Sequence, residues 1–285
     1  VSIGGLGLVM IAAVLWGLSG GLGGFLMDRG WDPLVIAFYR GAVGLIFIGI
    51  WLILRPVKWS RKMLLWSLVA GLGVAGNFIF YFVSISEGSI AVAATLMYTA
   101  PIFVLLTSFI LRLEKPTVFK WLAILSVTVG VVLMTEVYAA GSDGITPFGI
   151  ATGLGAGLSY ALFLFSFKRA SLHGKPQGVL TVAFLTLSVL MLFVVDYGET
   201  VSAVTSPDLF WMILLGIFGA GLSFFLYITG LKKTTPTAAS VSAMVEPVTA
   251  SLFGVLVMGE GLTLPQLGGM GIILGTVTIL SVKNS

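Results

Sequence analysis

Residues 77–101, NFIFYFVSISEGSIAVAATLMYTAP, and residues 223–247, SFFLYITGLKKTTPTAASVSAMVEP, align without a gap at an offset of 146 residues. Tyr81 falls on Tyr227, Ala93 on Ala239 and Pro101 on Pro247, and the same offset carries Glu114 onto Glu260. Reading apolar runs of roughly 17–25 residues as bilayer-spanning helices gives ten. They lie at about 3–27, 33–54, 63–85, 90–111, 118–138, 147–167, 178–196, 209–230, 238–258 and 264–282. Five spans belong to each copy, and an odd number of crossings inverts the second copy relative to the first. The expected fold class is an all-α membrane protein of ten transmembrane helices. The first five-helix repeat covers 1–140 and the second, inverted repeat covers 147–285. Many secondary transporters share this layout, so a carrier is the first expectation.

Composition supports the membrane reading. The chain is 58% hydrophobic and only 9% charged, with a mean hydropathy of +1.12, whereas about a quarter of the residues of a soluble domain are charged. The runs are continuous rather than alternating and rich in Gly and Ala, which favours packed helices over strands. The first run is read as a retained helix, because it is longer than a signal-peptide core and lacks a basic flank. With no cysteine, disulfides and thiolate metal sites are excluded.

The net charge of +4 is not spread as a nucleic-acid binder would spread it. Segments after even-numbered spans hold Arg55, Lys58, Arg61, Lys62, Arg112, Lys115, Lys120, Lys168, Arg169, Lys175, Lys232, Lys233 and Lys283. Segments after odd-numbered spans hold Arg29 and most of the acids: Asp28, Asp32, Glu87, Glu136, Asp143, Asp196, Glu199, Asp208 and Glu260. The bias predicts that both termini are cytoplasmic. The longest polar intervals, Val137–Pro147 and Val195–Asp208, are expected outside the cell as turns or short surface helices.

Polar side chains inside the bilayer need a partner or a wet cavity. Asn77 and Tyr81 share a helix face, as do their images Ser223 and Tyr227; two matched polar faces suggest a central cavity, and each pair also suits interhelical hydrogen bonds. Ser242, Tyr98, Trp16, Ser159 and Phe163 are further candidates for its wall. Pro101 and Pro247 each remove a backbone N–H and free the carbonyl four residues earlier, at Met97 and Ala243, so both helices should bend and act as hinges. Glu246 is the carboxylate nearest a midplane, and its image is Ala100. It is a candidate proton carrier or donor to a substrate, and equally a structural carboxyl paired with Arg40 or capping a broken helix. Arg40, two turns into its span, either snorkels outward or faces inward to attract a carboxylate. The glycines at 17, 20, 21, 23 and 24, at 153, 155 and 157, and at 268, 271 and 275 read as close helix packing or as a sliding surface. His173 sits in a basic loop. No phosphate loop, metal-spaced His set or Ser/His/Asp group is present, so no enzyme activity, catalytic residue, metal or cofactor is expected.

Together the ten spans, the mid-helix Pro101/Pro247 pair and the trailing Glu114 and Glu260 resemble the EamA-type drug/metabolite transporter superfamily. Met258-Gly259-Glu260-Gly261-Leu262-Thr263-Leu264-Pro265-Gln266-Leu267-Gly268-Gly269 is similar to that family's end-of-repeat motif, Trp16-Gly17-Leu18-Ser19 resembles its opening, and Arg40 matches the arginine of its second helix. The first half departs from the pattern with Arg112-Leu113 before Glu114, where Gly is expected. Within the superfamily the chain looks most like the YddG-type bacterial amino-acid exporters. The resemblance implies an inner-membrane carrier with the ten-helix basket fold, exporting aromatic and other neutral amino acids or similar metabolites by alternating access. A bilayer and a small-molecule substrate are then its partners, and nucleic acid is not; nothing in the chain specifies an oligomeric state. Facilitated transport is the preferred expectation, with proton-coupled antiport through Glu246 as the alternative and a channel or a non-transporting receptor as the competing classes.

Overall fold

The computed structural model describes residues 3–139 and 146–283. Asp143, read from the sequence as a loop acid, lies outside the described residues. The chain forms helices α1 (Ile3–Asp28), α2 (Pro33–Leu54), α3 (Arg61–Ser86), α4 (Ile90–Met97), α5 (Ala100–Ile110), α6 (Val118–Thr135), α7 (Pro147–Ser171), α8 (Pro176–Met191), α9 (Tyr197–Ala203), α10 (Leu209–Gly216), α11 (Ser223–Leu231), α12 (Pro236–Ser242), α13 (Val245–Phe253) and α14 (Leu264–Lys283). Among the described residues there is no strand. Eight helical segments are long and apolar enough to cross a membrane, and Pro176–Met191 and Leu264–Leu280 are shorter apolar helices. Exposed Ile53, Leu65, Leu125, Phe193 and Leu256 leave an outer surface that only lipid can cover. The protein is a multi-pass membrane protein.

Helix starts follow from capping chemistry. Asp32 accepts from the amides of Leu34 and Val35, with Pro33 opening α2, and Ser60, Ser89, Thr117, Thr146 and Thr235 each cap the next helix by a side-chain oxygen. The expected span 90–111 is interrupted: α4 passes to α5 at Tyr98-Thr99, and α12 passes to α13 at Ala243-Met244. Both breaks precede a proline that cannot donate, Pro101 and Pro247, so the helix closes with three-residue turns instead, Thr99 N–H to Leu96 O at 3.2 Å and Glu246 N–H to Ala243 O at 2.9 Å. The span expected at 178–196 ends at Met191, and the following interval holds the short helix α9.

Two π-helical turns, Ile217–Leu222 between α10 and α11 and Gly254–Met258 after α13, widen their helices by one residue per turn. Packing is close between α3 and α7, where a Cβ on Gly73 would lie 2.7 Å from the backbone N of Phe163. Just after α5 Arg112 takes a left-handed φ of 54°, the conformation glycine adopts cheaply; in the second half Gly259, one place beyond the 146-residue offset, takes φ 73°.

The acidic-loop ends are tied together outside the apolar layer. Asp208, at the start of α10, accepts from Trp31 Nε1 at 2.9 Å and pairs with Arg29 Nε at 2.9 Å. The Trp31 hydrogen bond first, then that of Arg29 and its charge, hold the Asp208 carboxyl below the usual range, against the opposing effect of burial. A lowered folded value means that this stabilisation is present above the unfolded carboxylate value of about 3.9 and is lost as pH falls through the folded value. Thermal unfolding of wild type and Asp208→Asn should therefore differ at pH 7, with the wild type more stable, begin to converge below about 4 and meet only once the pH has fallen below the lowered folded value. A difference that persists unchanged at low pH would contradict an ionic origin.

Candidate functional site

A cavity of about 480 Å³ enters the helix assembly from the acidic-loop side and ends near mid-height. Its mouth is formed by Asp28, Pro33, Ile90, Met258 and Glu260, and its floor by Trp16, Arg40, Val74, Tyr98, Phe163, Phe224 and Glu246. The glycines of α1 divide their work. A Cβ on Gly17 or Gly21 would overlap α13, whereas one on Gly20 or Gly24 meets nothing within 4 Å. One face of α1 thus seats the helix, and the other opens the cavity wall.

Arg40 faces inward. Its Nε and Nη2 donate to Gly219 O at 3.1 and 2.9 Å, and its guanidinium lies 5.2 Å from the Phe78 ring centroid, a cation–π arrangement. Gly219 belongs to the π-helical turn, where the ladder is altered and a carbonyl can turn outward. A side chain at this position is sterically blocked, since a Cβ would sit 2.5 Å from Ser19 Cβ. The contacts leave guanidinium donors for the cavity.

Across the floor, Glu246 stands in the first turn of α13, near the positive end of that helix's dipole, which favours a negative group. The Tyr98 hydroxyl faces its carboxyl. Among the described residues the ion pairs within 4.0 Å are Arg29–Asp208 and Lys120–Glu114, so Arg40 and Glu246 are opposed charges held apart. An Arg40–Glu246 contact, one of the structural alternatives, is not made.

Of the other residues singled out from sequence, Asn77, Tyr81, Tyr98, Trp16 and Phe163 line the cavity. Asn77 also donates to Ala156 O at 3.0 Å, tying α3 to α7. Ser223, Tyr227, Ser242 and Ser159 do not line it. Ser223, Tyr227 and Ser242 are fully buried, and the Ser223 and Ser242 hydroxyls have no protein hydrogen-bond partner; the Tyr227 hydroxyl faces that of Tyr160, and its ring packs beneath the floor, 4.7 Å from Trp16. Ser159 lies between α7 and α3, where a Cβ on Gly76 would be 2.9 Å from its Oγ. Pro101 and Pro247 are buried at the two breaks. Sequence reasoning passed over Phe78, Tyr160 and Phe224 as wall residues and took Glu260 only as a repeat marker. The adjacency of Phe78 to Asn77 was the one available signal.

The model of the EamA-like transporter family matches twice, over residues 3–136 and 147–282. The chain belongs to the EamA-like transporter family. An uncharacterized transporter of Archaeoglobus fulgidus is 31% identical over 95% of this chain and 94% of its own. The threonine/homoserine exporter RhtA of Escherichia coli is 26% identical over 88% of this chain and 84% of its own. A solved crystal structure superposes with a TM-score of 0.76 over 99% of this chain and 98% of that one at 17% identity, a likeness of fold alone. The Archaeoglobus fulgidus and Escherichia coli relatives are named as a transporter and an exporter; this EamA-family chain is a transporter, which implies a small-molecule substrate and points to a non-enzymatic role.

If the cavity is the transport route of this EamA-family protein, filling it from the open face of α1 should block transport without harming the fold. Gly20→Phe, placed where an added Cβ meets nothing within 4 Å, is expected to weaken substrate transport by about ten-fold or more while leaving thermal stability within the small range typical of uncrowded sites. Transport at wild-type rates would remove the cavity from the pathway.

Proposed function

We propose that the protein is a bacterial inner-membrane carrier with both termini in the cytoplasm, exporting neutral amino acids, aromatic ones among them, by alternating access. The observation that carries this reading is the separated Arg40 and Glu246 at the floor of a one-sided cavity whose inner walls carry aromatic rings. A zwitterion satisfies both: its carboxylate meets the free donors of Arg40, its ammonium meets Glu246 and Tyr98, and its side chain lies on Trp16, Phe78 and Phe163. Fixed opposite charges in a dry site discriminate more strongly than apolar walls, because an analogue lacking either charge leaves the other unpaired. The cavity volume suits a small organic solute, and the RhtA name adds an amino-acid exporter at moderate identity.

Two inverted five-helix repeats of a ten-span basket, 1–140 and 147–285, supply the exchange. Equivalent breaks before Pro101 and Pro247 are the hinges. In this state the Asn77/Tyr81 face meets the cavity, and the Ser223/Tyr227 face is packed below it. Under inversion these roles swap, which gives the unpartnered Ser223 and Ser242 hydroxyls a solute or water to meet in the opposite state. Flux is facilitated, with Glu246 serving the substrate; the coupled alternative makes Glu246 a proton carrier.

Counterflow in proteoliposomes tests the reading. Preloaded neutral amino acid should accelerate entry of the labelled one, and no single-channel conductance should appear. Conductance without counterflow would mean a channel. Orientation has its own test: reporters fused after Lys62 or Lys175 should read as cytoplasmic and one after Glu199 as periplasmic, and opposite labelling would remove both the orientation and the inversion.

A further inference from the structure

The basic-loop side of the molecule is closed by a contact whose mirror image exists at the acidic-loop side but is not made. Glu114 follows α5; its Oε1 accepts from the amide of Thr237 in the first turn of α12 at 3.0 Å, and its Oε2 pairs with Lys120 Nζ at 2.8 Å. Its side chain is only 3% exposed. Alongside it Lys168 Nζ donates to Leu231 O and Thr234 O, sealing the end of α11. At the 146-residue offset Glu114 becomes Glu260, and Thr237 becomes Ala91 in the first turn of α4.

The geometry on the two sides is matched in detail. The Glu114 amide donates to Ser108 O at 3.4 Å and the Glu260 amide to Gly254 O at 3.1 Å, residues again related by the same offset. Ser89 Oγ caps α4 through the Val92 amide at 3.3 Å, and Thr235 Oγ1 caps α12 through the Ala238 amide at 3.3 Å. What differs is the carboxylate. Glu260 is exposed, lines the cavity mouth and lies against Gly254, where a Cβ would overlap its Oε2. Among the described residues no group accepts from the Ala91 amide.

We propose that Glu114 and Glu260 are alternating latches: Glu114 on the Thr237 amide of α12 closes the basic-loop side in the state seen here, and Glu260 on the Ala91 amide closes the acidic-loop side in the opposite state. The inference rests on the alternating-access reading. Each latch satisfies an N-terminal amide that otherwise has no helical partner, and a carboxylate there is favoured by the helix dipole. Exclusivity follows from the hinge, because α4 and α12 each carry the target of the other repeat's glutamate. The two latches are unequal. Lys120, which adds an ion pair to Glu114, is replaced by Gln266 at the same offset, and Gln266 is engaged with Thr263 N at 3.0 Å. The state with Glu114 latched is therefore the resting one.

The test uses single cysteines, since the chain has none of its own. Gly20→Cys reports the acidic-loop side and Ser223→Cys, buried now, reports the other, each labelled by a membrane-impermeant maleimide from its own side. Glu114→Ala should raise Ser223→Cys labelling and lower Gly20→Cys labelling, a shift of about five- to ten-fold in the ratio, as expected for one charge-assisted cap. Glu260→Ala, at an exposed residue, should shift the ratio the other way, and the double variant should return it toward wild type. Gly254→Ala, which displaces Glu260 from its resting place, should act in the direction of Glu114→Ala. Should Glu114→Ala fail to fold, Glu260→Ala and Gly254→Ala still carry the test. Both glutamate variants shifting the ratio in the same direction, or neither shifting it while substrate still moves wild-type labelling between the two reporters, would overturn the latches and leave the carrier standing. Wild-type labelling that ignores substrate at both positions would overturn alternating access itself, and the latches with it.

Discussion

Arg40→Gln should raise the half-saturation concentration for a neutral amino acid by about 100-fold or more, the scale of losing one partner of a desolvated charge pair. Glutamine is the informative replacement, because its amide retains a donor for Gly219 O and so spares the π-helical turn that Arg40 now holds at 2.9 and 3.1 Å. The loss should be specific to the carboxylate. A substrate methyl ester should be handled poorly by wild type and variant alike, whereas an unchanged half-saturation for the free amino acid would take Arg40 out of the binding site. Arg40→Lys should recover only part of the loss, since a point charge cannot hold Gly219 and present a fork to the substrate together.

Glu246→Gln is the second large effect. In the facilitated reading the carboxylate receives the substrate ammonium, so the variant should fold, remain in the membrane and lose counterflow by about 100-fold. Wild-type flux should be indifferent to an imposed pH gradient. The proton-carrier alternative predicts the reverse pattern: wild-type flux accelerated by the gradient, and a Gln variant that loses the acceleration while keeping counterflow, which needs no net proton movement. The two outcomes do not overlap.

Much of the helical layout was legible in the chain because membrane helices announce themselves by length. The breaks at Tyr98 and Ala243 follow from prolines that remove a donor, while the caps Ser89 and Thr235 refine starts that the apolar runs alone placed at 90 and 238. The π-helical turn at Ile217–Leu222 was not legible. It contains no proline, and what holds it is Arg40 reaching a carbonyl 179 residues away, a contact no local pattern encodes. Similarly, α8 is shorter than its apolar run, because hydropathy does not mark where Met191 turns toward the surface helix α9.

At the site, the paired faces of Asn77/Tyr81 and Ser223/Tyr227 are equivalent in sequence and unequal in space. A single conformation of two related halves can open only one of them, so periodicity identified the pairs without saying which would meet the cavity. Glycines posed the same difficulty. Gly17 and Gly20 are indistinguishable as letters, yet one is pressed against α13 and the other faces open space, a difference set by helix rotation. Glu246 stood out because an unmatched carboxylate deep in a bilayer is costly; its separation from Arg40 required coordinates.

The central claim is that a zwitterion bridges Arg40 and Glu246 in this cavity, and counterflow by purified protein with three forms of one neutral amino acid tests it most directly. The free amino acid should exchange rapidly, and its methyl ester and its N-acetyl derivative should each be about 100-fold less effective, because each strips one charge and leaves a buried partner unpaired. Equal exchange of all three forms, or exchange of none while the folded protein conducts, would contradict it.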